Sequence, residues 1–474
     1  MPNELIILLL ASLALFASNA ATLPLPPLDD CFYARKGVEM AHSGGFFTVT
    51  WNGVPTFQNP PLQFWLLGRS FLAFGVNDLA ARSPSILMGL GILLGVFRIG
   101  VRLGGRGAAL LAVVLLAVSP EFIAGARRCM LDIPLAFWVT ASFVVLIEGL
   151  QRPRLHLLLA LPLAGGILTK SVLGLLPLLV FMVAGLVRRE LRPSLRSPWL
   201  WGGALLGLAL GATWTVHQTI VFGPDALRAH YLGEVLGRST RPLSWAERIF
   251  GYPLALVRHF QPVVLPAMAG LIWMARRSGW RGERLVLALW VLLPVVLYSA
   301  SSARSARYVF PVFPALALCA GLWLDAVAPR TGRVLVRWVA PVLLLVGAVV
   351  FAVAPGALAR QSAREFKARR DAFAERIPPA EPLTYYGTHY WSIANPLLYY
   401  DERYLEPAAP SADEAARRAL VRTSHLVMCD RERFRELSAR APLARVVIES
   451  PGWVLMEFPS GPAAPSPGAR PAAR

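Results

Sequence analysis

Apolar runs of bilayer length, returning many times along one chain, leave few folds open. After a first run over about residues 5–22, others follow at about 83–98, 107–124, 133–150, 155–168, 171–187, 198–221, 254–275, 285–300, 309–325 and 338–354. Each is near, or a little short of, the roughly twenty residues an α-helix needs to cross hydrocarbon. Lipid offers no partner to an exposed backbone, so runs of this length are helices. The chain is thus expected to be a mainly α, polytopic membrane protein of about eleven transmembrane helices. Composition agrees: 55% of its 474 residues are hydrophobic and 16% charged, with mean hydropathy +0.52.

The formal net charge of +19 would suggest a nucleic-acid partner in a soluble chain. Here arginines punctuate the apolar runs, the pattern of loops meeting anionic head groups, and no nucleic-acid partner is expected. Of 47 basic residues only Lys36, Lys170 and Lys367 are lysines, so no lysine-rich tail exists. Compact clusters (Arg98/Arg102/Arg106, Arg152/Arg154, Arg188/Arg189/Arg192/Arg196, Arg276/Arg277/Arg281/Arg284, Arg330/Arg333/Arg337) mark alternate loops as cytoplasmic. The loop after the first run, the Arg127–Asp132 turn, the 222–250 segment and Arg304–Tyr308 then converge on the outer face. Met1-Pro2-Asn3-Glu4 carries no basic residue, which favours an uncleaved first span over a signal peptide. Cys31, Cys129, Cys319 and Cys429 form no CxxC pair and no disulfide framework; Cys31 and Cys129 could lie on the same membrane face, each near an acidic motif, where a bridge between them is conceivable.

The outer loop, about 24–82, alternates turn formers with aromatics, as expected of amphipathic helices lying along the interface. Beyond 354 the chain turns polar. Strands are expected at Leu383–Gly387, Leu397–Tyr400, His425–Met428, Arg445–Ile448 and Trp453–Met456, with helices near 411–421 and 430–440. The division is therefore a transmembrane domain over 1–354, a small α/β extramembrane domain over 355–459, and a disordered Pro/Ala-rich tail over 460–474.

Five stretches could carry chemistry. Asp29-Asp30 follows a Pro-rich break at an interface where charge is costly; a carboxylate there could be a general base or a metal ligand, or only a solvated loop start. Arg127-Arg128-Cys129-Met130-Leu131-Asp132 ends one run, and as easily forms a snorkelling, self-neutralised turn. Lys170, in Thr169-Lys170-Ser171, is a lone lysine between apolar runs, the kind of residue that marks function and finds a partner. Glu234 and Arg238 stand four apart, the spacing of a plain helix ion pair. Arg304 and Arg307, beside Tyr308, suit a phosphate, since guanidinium grips such oxygens in a fork.

Together these stretches resemble the GT-C membrane glycosyltransferases, in the branch that holds lipid A aminoarabinose transferases, bacterial family-39 enzymes and protein O-mannosyltransferases. The family's Asp-Glu pair is matched by Asp29-Asp30, its Pro-Pro loop by Asn59-Pro60-Pro61-Leu62, and its Arg-x-Pro-Ser motif by Ala81-Arg82-Ser83-Pro84-Ser85. Its Met-x-Asp turn is Met130-Leu131-Asp132, its Thr-Lys motif Thr169-Lys170-Ser171, and its Arg-Tyr-x-x-Pro-x-x-Pro signature runs from Arg307-Tyr308 to Pro311 and Pro314.

The resemblance implies a sugar moved from a polyprenyl-phosphate donor to a lipid A, polysaccharide or protein acceptor, with inversion, at the periplasmic face of a bacterial inner membrane. It implies catalytic roles for Asp29, Asp30 and Asp132, and donor-phosphate contacts from Lys170, Arg307, Arg127 and Arg304. Tyr33, Asn59, Pro60, Glu234, Arg238 and Tyr308 would line the cavity. No cofactor is firmly implied. Where relatives carry Glu-Lys and Glu-His, this chain has Gln58-Asn59 and Glu234-Val235, so a divalent metal loses two expected ligands. A transporter or flippase of a lipid-linked sugar, or an inactive GT-C scaffold, are the competing readings.

Overall fold

The computed structural model describes residues 3–237, 244–278, 280–299, 306–353, 368–377, 381–401 and 404–459. The chain divides into two compact units. The first comprises Met1–Thr22 and Lys36–Ala354; the second takes in Leu23–Arg35 and the described residues of Pro355–Arg474.

The first unit is helical. Its apolar runs lie mainly in helices, which break at places that run-length alone does not show. Helix α1 spans Asn3–Ala17 and α2 Asp29–Ser43, with the boundary between units falling after Arg35. Helix α3 is Leu62–Phe74, opened by Pro61, and α4 is Asp78–Ala117, capped by the Asn77 side chain on the Ala80 amide at 2.9 Å. Two expected spans merge in α4, which kinks where Gly105 takes φ 86°. Helix α5 is Pro120–Ala126, α6 Asp132–Gly149, α7 Ala160–Lys170 and α8 Leu176–Val187. The expected span over 254–275 is not one straight helix: Trp245–His259 and Val264–Arg277 meet at 119°.

Among the described residues six helices are long and apolar enough to cross a membrane, seven if that bent pair counts as one. Pro198–Phe222 and Pro329–Val353 bury only 22% and 17% of their apolar windows inside the protein. Their outer faces suit lipid, and the chain is a multi-pass membrane protein. Lipid gives little hydrophobic drive between helices, so close approach of small residues must hold them. Helix α4 meets Phe313–Val327 in that way: a Cβ on Gly321 would lie 2.5 Å from the Ala108 carbonyl oxygen.

The second unit carries a four-stranded sheet in the order β3-β4-β6-β5, from Thr384–Tyr386 (β3), Leu426–Asp430 (β4), Arg445–Glu449 (β5) and Trp453–Glu457 (β6). β3 and β4 are parallel, and the other pairs antiparallel. The expected strand at Leu397–Tyr400 is instead the end of a helix, Tyr390–Tyr400. Its buried Ile393, Ala394, Leu397 and Leu398 recur at helical spacing, which overrides the strand preference of the terminal tyrosines. All four cysteines are free thiols, Cys31 and Cys129 included.

Candidate functional site

The first unit brings Asp132, Lys170 and Tyr308 together. Asp132 opens α6, where the helix dipole favours a carboxylate, and Lys170 closes α7, where it favours a cation. Lys170 Nζ donates to Asp132 Oδ1 at 2.8 Å and lies 5.0 Å from the Tyr308 ring centre. Their side chains are only 18% and 8% exposed, so the pair is largely desolvated yet still reachable. Arg307, half-buried, sets Nη1 3.8 Å from Met130 Sδ, two residues before Asp132.

Directly after Lys170 the helix breaks. Ser171 takes φ 52° and the chain continues as a 3₁₀ turn, Ser171–Leu175, before α8 begins. That turn and α8 wall a partly open apolar cleft of about 480 Å³ with Leu208, Leu297 and Tyr298. A desolvated cation thus sits two residues from the start of a hydrocarbon-lined cleft.

Around Lys36 lies a second cluster, which the sequence motifs did not single out. Lys36 has no exposed surface; its Nζ is 3.4 Å from Gln58 Oε1 and 5.4 Å from the Phe64 ring centre. Burial lowers its pKa from 10.5 to about 7, against the opposing charges of Glu234 and Glu39. Glu39 accepts from the Asn52 and Gly53 amides at 2.8 and 3.2 Å. Those amides form the two-residue turn of a short hairpin, Thr50–Trp51 (β1) with Val54–Pro55 (β2), whose positive φ values suit Asn-Gly. Asn59 is half-buried and Pro60 buried, just before α3. Glu234 lies on the π-helical turn Arg228–Leu236, where His230 Nδ1 pairs with the Phe57 carbonyl at 2.7 Å.

Arg127 is placed differently from the phosphate-binding expectation. Its Nη1 donates to the Leu15 and Phe16 carbonyls at 2.5 and 3.3 Å, and its guanidinium covers the Phe351 ring. Arg82 completes this anchor by donating to the Arg127 and Ala20 carbonyls at 2.9 and 2.8 Å. Both arginines tie the end of α1 to neighbouring helices.

Asp29, Asp30 and Tyr33 belong to the second unit. Asp29 is exposed, Asp30 buried and Tyr33 half-buried, with both carboxylates in the first turn of α2. The segment is fixed there by Asn395 donating to the Leu28 carbonyl at 3.2 Å, Arg35 to that of Leu398 at 2.9 Å, and the Leu25 amide to the Tyr400 hydroxyl at 2.6 Å. Arg238 and Arg304 lie outside the described residues.

A family profile described as dolichyl-phosphate-mannose-protein mannosyltransferase matches residues 58–217. ArnT from Cupriavidus metallidurans, solved bound to undecaprenyl phosphate, superposes with a TM-score of 0.77 at 21% identity, covering 96% of this chain and 99% of that one. The chain has the GT-C fold of the ArnT and protein mannosyltransferase type. An oligosaccharyltransferase from Archaeoglobus fulgidus, solved in complex with Zn and sulfate, shares this GT-C fold at a TM-score of 0.58 and 14% identity, over 91% of this chain and 68% of that one. In sequence, the undecaprenyl phosphate-alpha-4-amino-4-deoxy-L-arabinose arabinosyl transferase of Pseudomonas aeruginosa PAO1 is 30% identical over 315 residues, 62% of this chain and 54% of the relative. This GT-C chain spans little more than half the length of the curated relatives it matches.

Proposed function

We propose that this protein is a membrane glycosyltransferase that moves a sugar from a polyprenyl-phosphate donor to an envelope acceptor (lipid A, polysaccharide or protein) at the periplasmic face of a bacterial inner membrane. One observation carries the reading: Lys170, held by Asp132 and Tyr308, is followed two residues later by Val172, where the lining of the apolar cleft begins. A phosphate on a hydrocarbon tail needs that pairing of a fixed cation and an apolar slot. The bound undecaprenyl phosphate of the Cupriavidus protein supports the same ligand class.

In this reading the acceptor hydroxyl or amine attacks the anomeric carbon as the bond from that carbon to the phosphate oxygen breaks. Polyprenyl phosphate departs, the configuration inverts, and the acceptor's proton passes to a carboxylate. Asp29 is assigned that base or orienting role, with Asp30 beside it, on the family motif. Lys170 and Arg307 stabilise the charge that grows on the leaving phosphate. Asp132 keeps Lys170 aimed, and Asn59, Pro60 and Tyr308 are assigned to the cavity wall. Arg127 is left out of the phosphate set because its guanidinium is committed to backbone carbonyls.

The test is the mass spectrum of envelope glycans and lipid A from a deletion strain, complemented with wild type, Asp29→Asn, Asp132→Asn or Lys170→Met at matched membrane levels. A discrete sugar mass should vanish on deletion and return with wild type alone. Full restoration by all three variants would remove the assigned site, and an unchanged deletion spectrum under inducing growth would remove the transferase reading.

A further inference from the structure

Lys36 is a fully buried lysine in a chain that almost always uses arginine for positive charge. Its ammonium lies against Gln58, from the stretch before α3, and the Phe64 ring of α3, and it feels the charges of Glu39, one turn on in α2, and of Glu234 on the π-helical turn, which His230 ties to the Phe57 carbonyl. An aliphatic side chain would fill this position at far lower desolvation cost. What lysine adds is positive charge beside Glu234 and Glu39, two carboxylates on segments distant in sequence.

We propose that the Lys36 ammonium is the built-in cation of this cluster, neutralising Glu234 and Glu39 in the way a bound divalent ion would, so that the chain holds its first loop in place without a metal. The donor set fits an ammonium and not a metal. Gln58 Oε1, 3.4 Å from Nζ, is a neutral amide oxygen, a weak ligand for a divalent ion, and the residue after Glu234 is Val235, which has no donor atom. Among the described residues no three His, Cys, Asp or Glu side chains converge. A divalent ion brought to Glu234 or Glu39 would also meet the ammonium's repulsion. Lys36 is in this sense a positioning residue: through Glu39 it reaches the Asn52–Gly53 turn, and through Gln58 and Glu234 it joins the Pro-Pro loop to the π-helical turn.

The test uses the full chain in lipid nanodiscs at mildly acidic pH. Zn²⁺, Mn²⁺ and Mg²⁺ are titrated against wild type while bound metal per chain and Tm are read. Lys36→Met, Glu234→Gln and the double variant complete a cycle in Tm. The expected results are no saturable divalent binding to wild type, no metal-dependent rise in Tm, and a double-variant loss smaller than the sum of the single losses. One divalent ion bound per wild-type chain would overturn the proposal, and so would additive losses in the cycle. If Lys36→Met fails to fold, the wild-type titration still decides. Neither readout depends on transferase activity.

Discussion

Lys170 Nζ and Asp132 Oδ1, 38 residues apart in sequence, sit 2.8 Å from each other where the end of α7 meets the start of α6. Because both groups are largely out of water, removing one strands the other. Asp132→Ala should therefore cost about 3–5 kcal/mol of stability, whereas the double change to Asp132→Asn and Lys170→Met should recover much of that loss. Chemical denaturation of the detergent-purified single and double variants checks this; a double-variant loss equal to the sum of the single losses would mean the charges are not coupled.

The cleft beyond Lys170 separates tail recognition from phosphate recognition. Leu208 is on its wall, and Leu208→Trp would fill part of its roughly 480 Å³. Affinity for undecaprenyl phosphate should fall at least about tenfold, or about 1.4 kcal/mol, with little change for a short-chain prenyl phosphate. Lys170→Met should weaken both ligands alike. Equilibrium binding in nanodiscs with the two chain lengths distinguishes the cases.

Much of this architecture was legible as hydropathy. The apolar runs give the helices, and the Met-x-Asp and Thr-Lys motifs point to the two residues that pair. What the runs cannot show is where a helix bends, because Gly105 and Ser171 change direction through backbone dihedrals without lowering local hydropathy. Leu397–Tyr400 carries strand propensity in its tyrosines, yet it ends the helix Tyr390–Tyr400 because its packing follows a helical period. Arg127 is given to the donor phosphate by the family resemblance, whereas its guanidinium holds backbone carbonyls of α1; an arginine at a span end has the same sequence signature in either role. Lys36 had one signal, the rarity of lysine beside 47 basic residues in total, but no motif to mark it.

Lys36 also sets a pH dependence. Its folded pKa, about 7, lies below the ordinary 10.5, because burial disfavours the ammonium more than Glu234 and Glu39 favour it. Between those values the unfolded chain holds more protons than the folded one, so stability should rise with pH from about 7 toward 10.5 and be insensitive to this group below 7. The slope from one such group is at most about 1.4 kcal/mol per pH unit. Denaturant unfolding from neutral to alkaline pH should show a shallower rise in Lys36→Met than in wild type. A steeper rise in the variant would mean the carboxylates hold the proton more firmly than burial expels it.

In the second unit Asp430 ends β4 and is almost fully buried, with its carboxylate met by several donors. Its Oδ1 accepts from the Tyr385 hydroxyl at 2.5 Å; its Oδ2 accepts from the Thr388 and His389 amides at 2.5 and 2.8 Å and lies 3.1 Å from His389 Nδ1. Gly387 permits the approach, since a Cβ there would fall 2.5 Å from Oδ2. Burial pushes the carboxyl up, but the Tyr385 and loop hydrogen bonds outweigh it and hold the pKa below the ordinary 3.8. The carboxylate's contribution is therefore complete above the ordinary value and lost as pH falls through the lower folded one. Asp430→Asn keeps the shape but turns acceptor capacity into donors facing donors, at a cost of about 1–3 kcal/mol. Hydrogen exchange at the Thr388 and His389 amides should accelerate in that variant at neutral pH, and in wild type only once the carboxylate is protonated. Unchanged protection in the variant would show that the loop after β3 is held by its own backbone and not by Asp430.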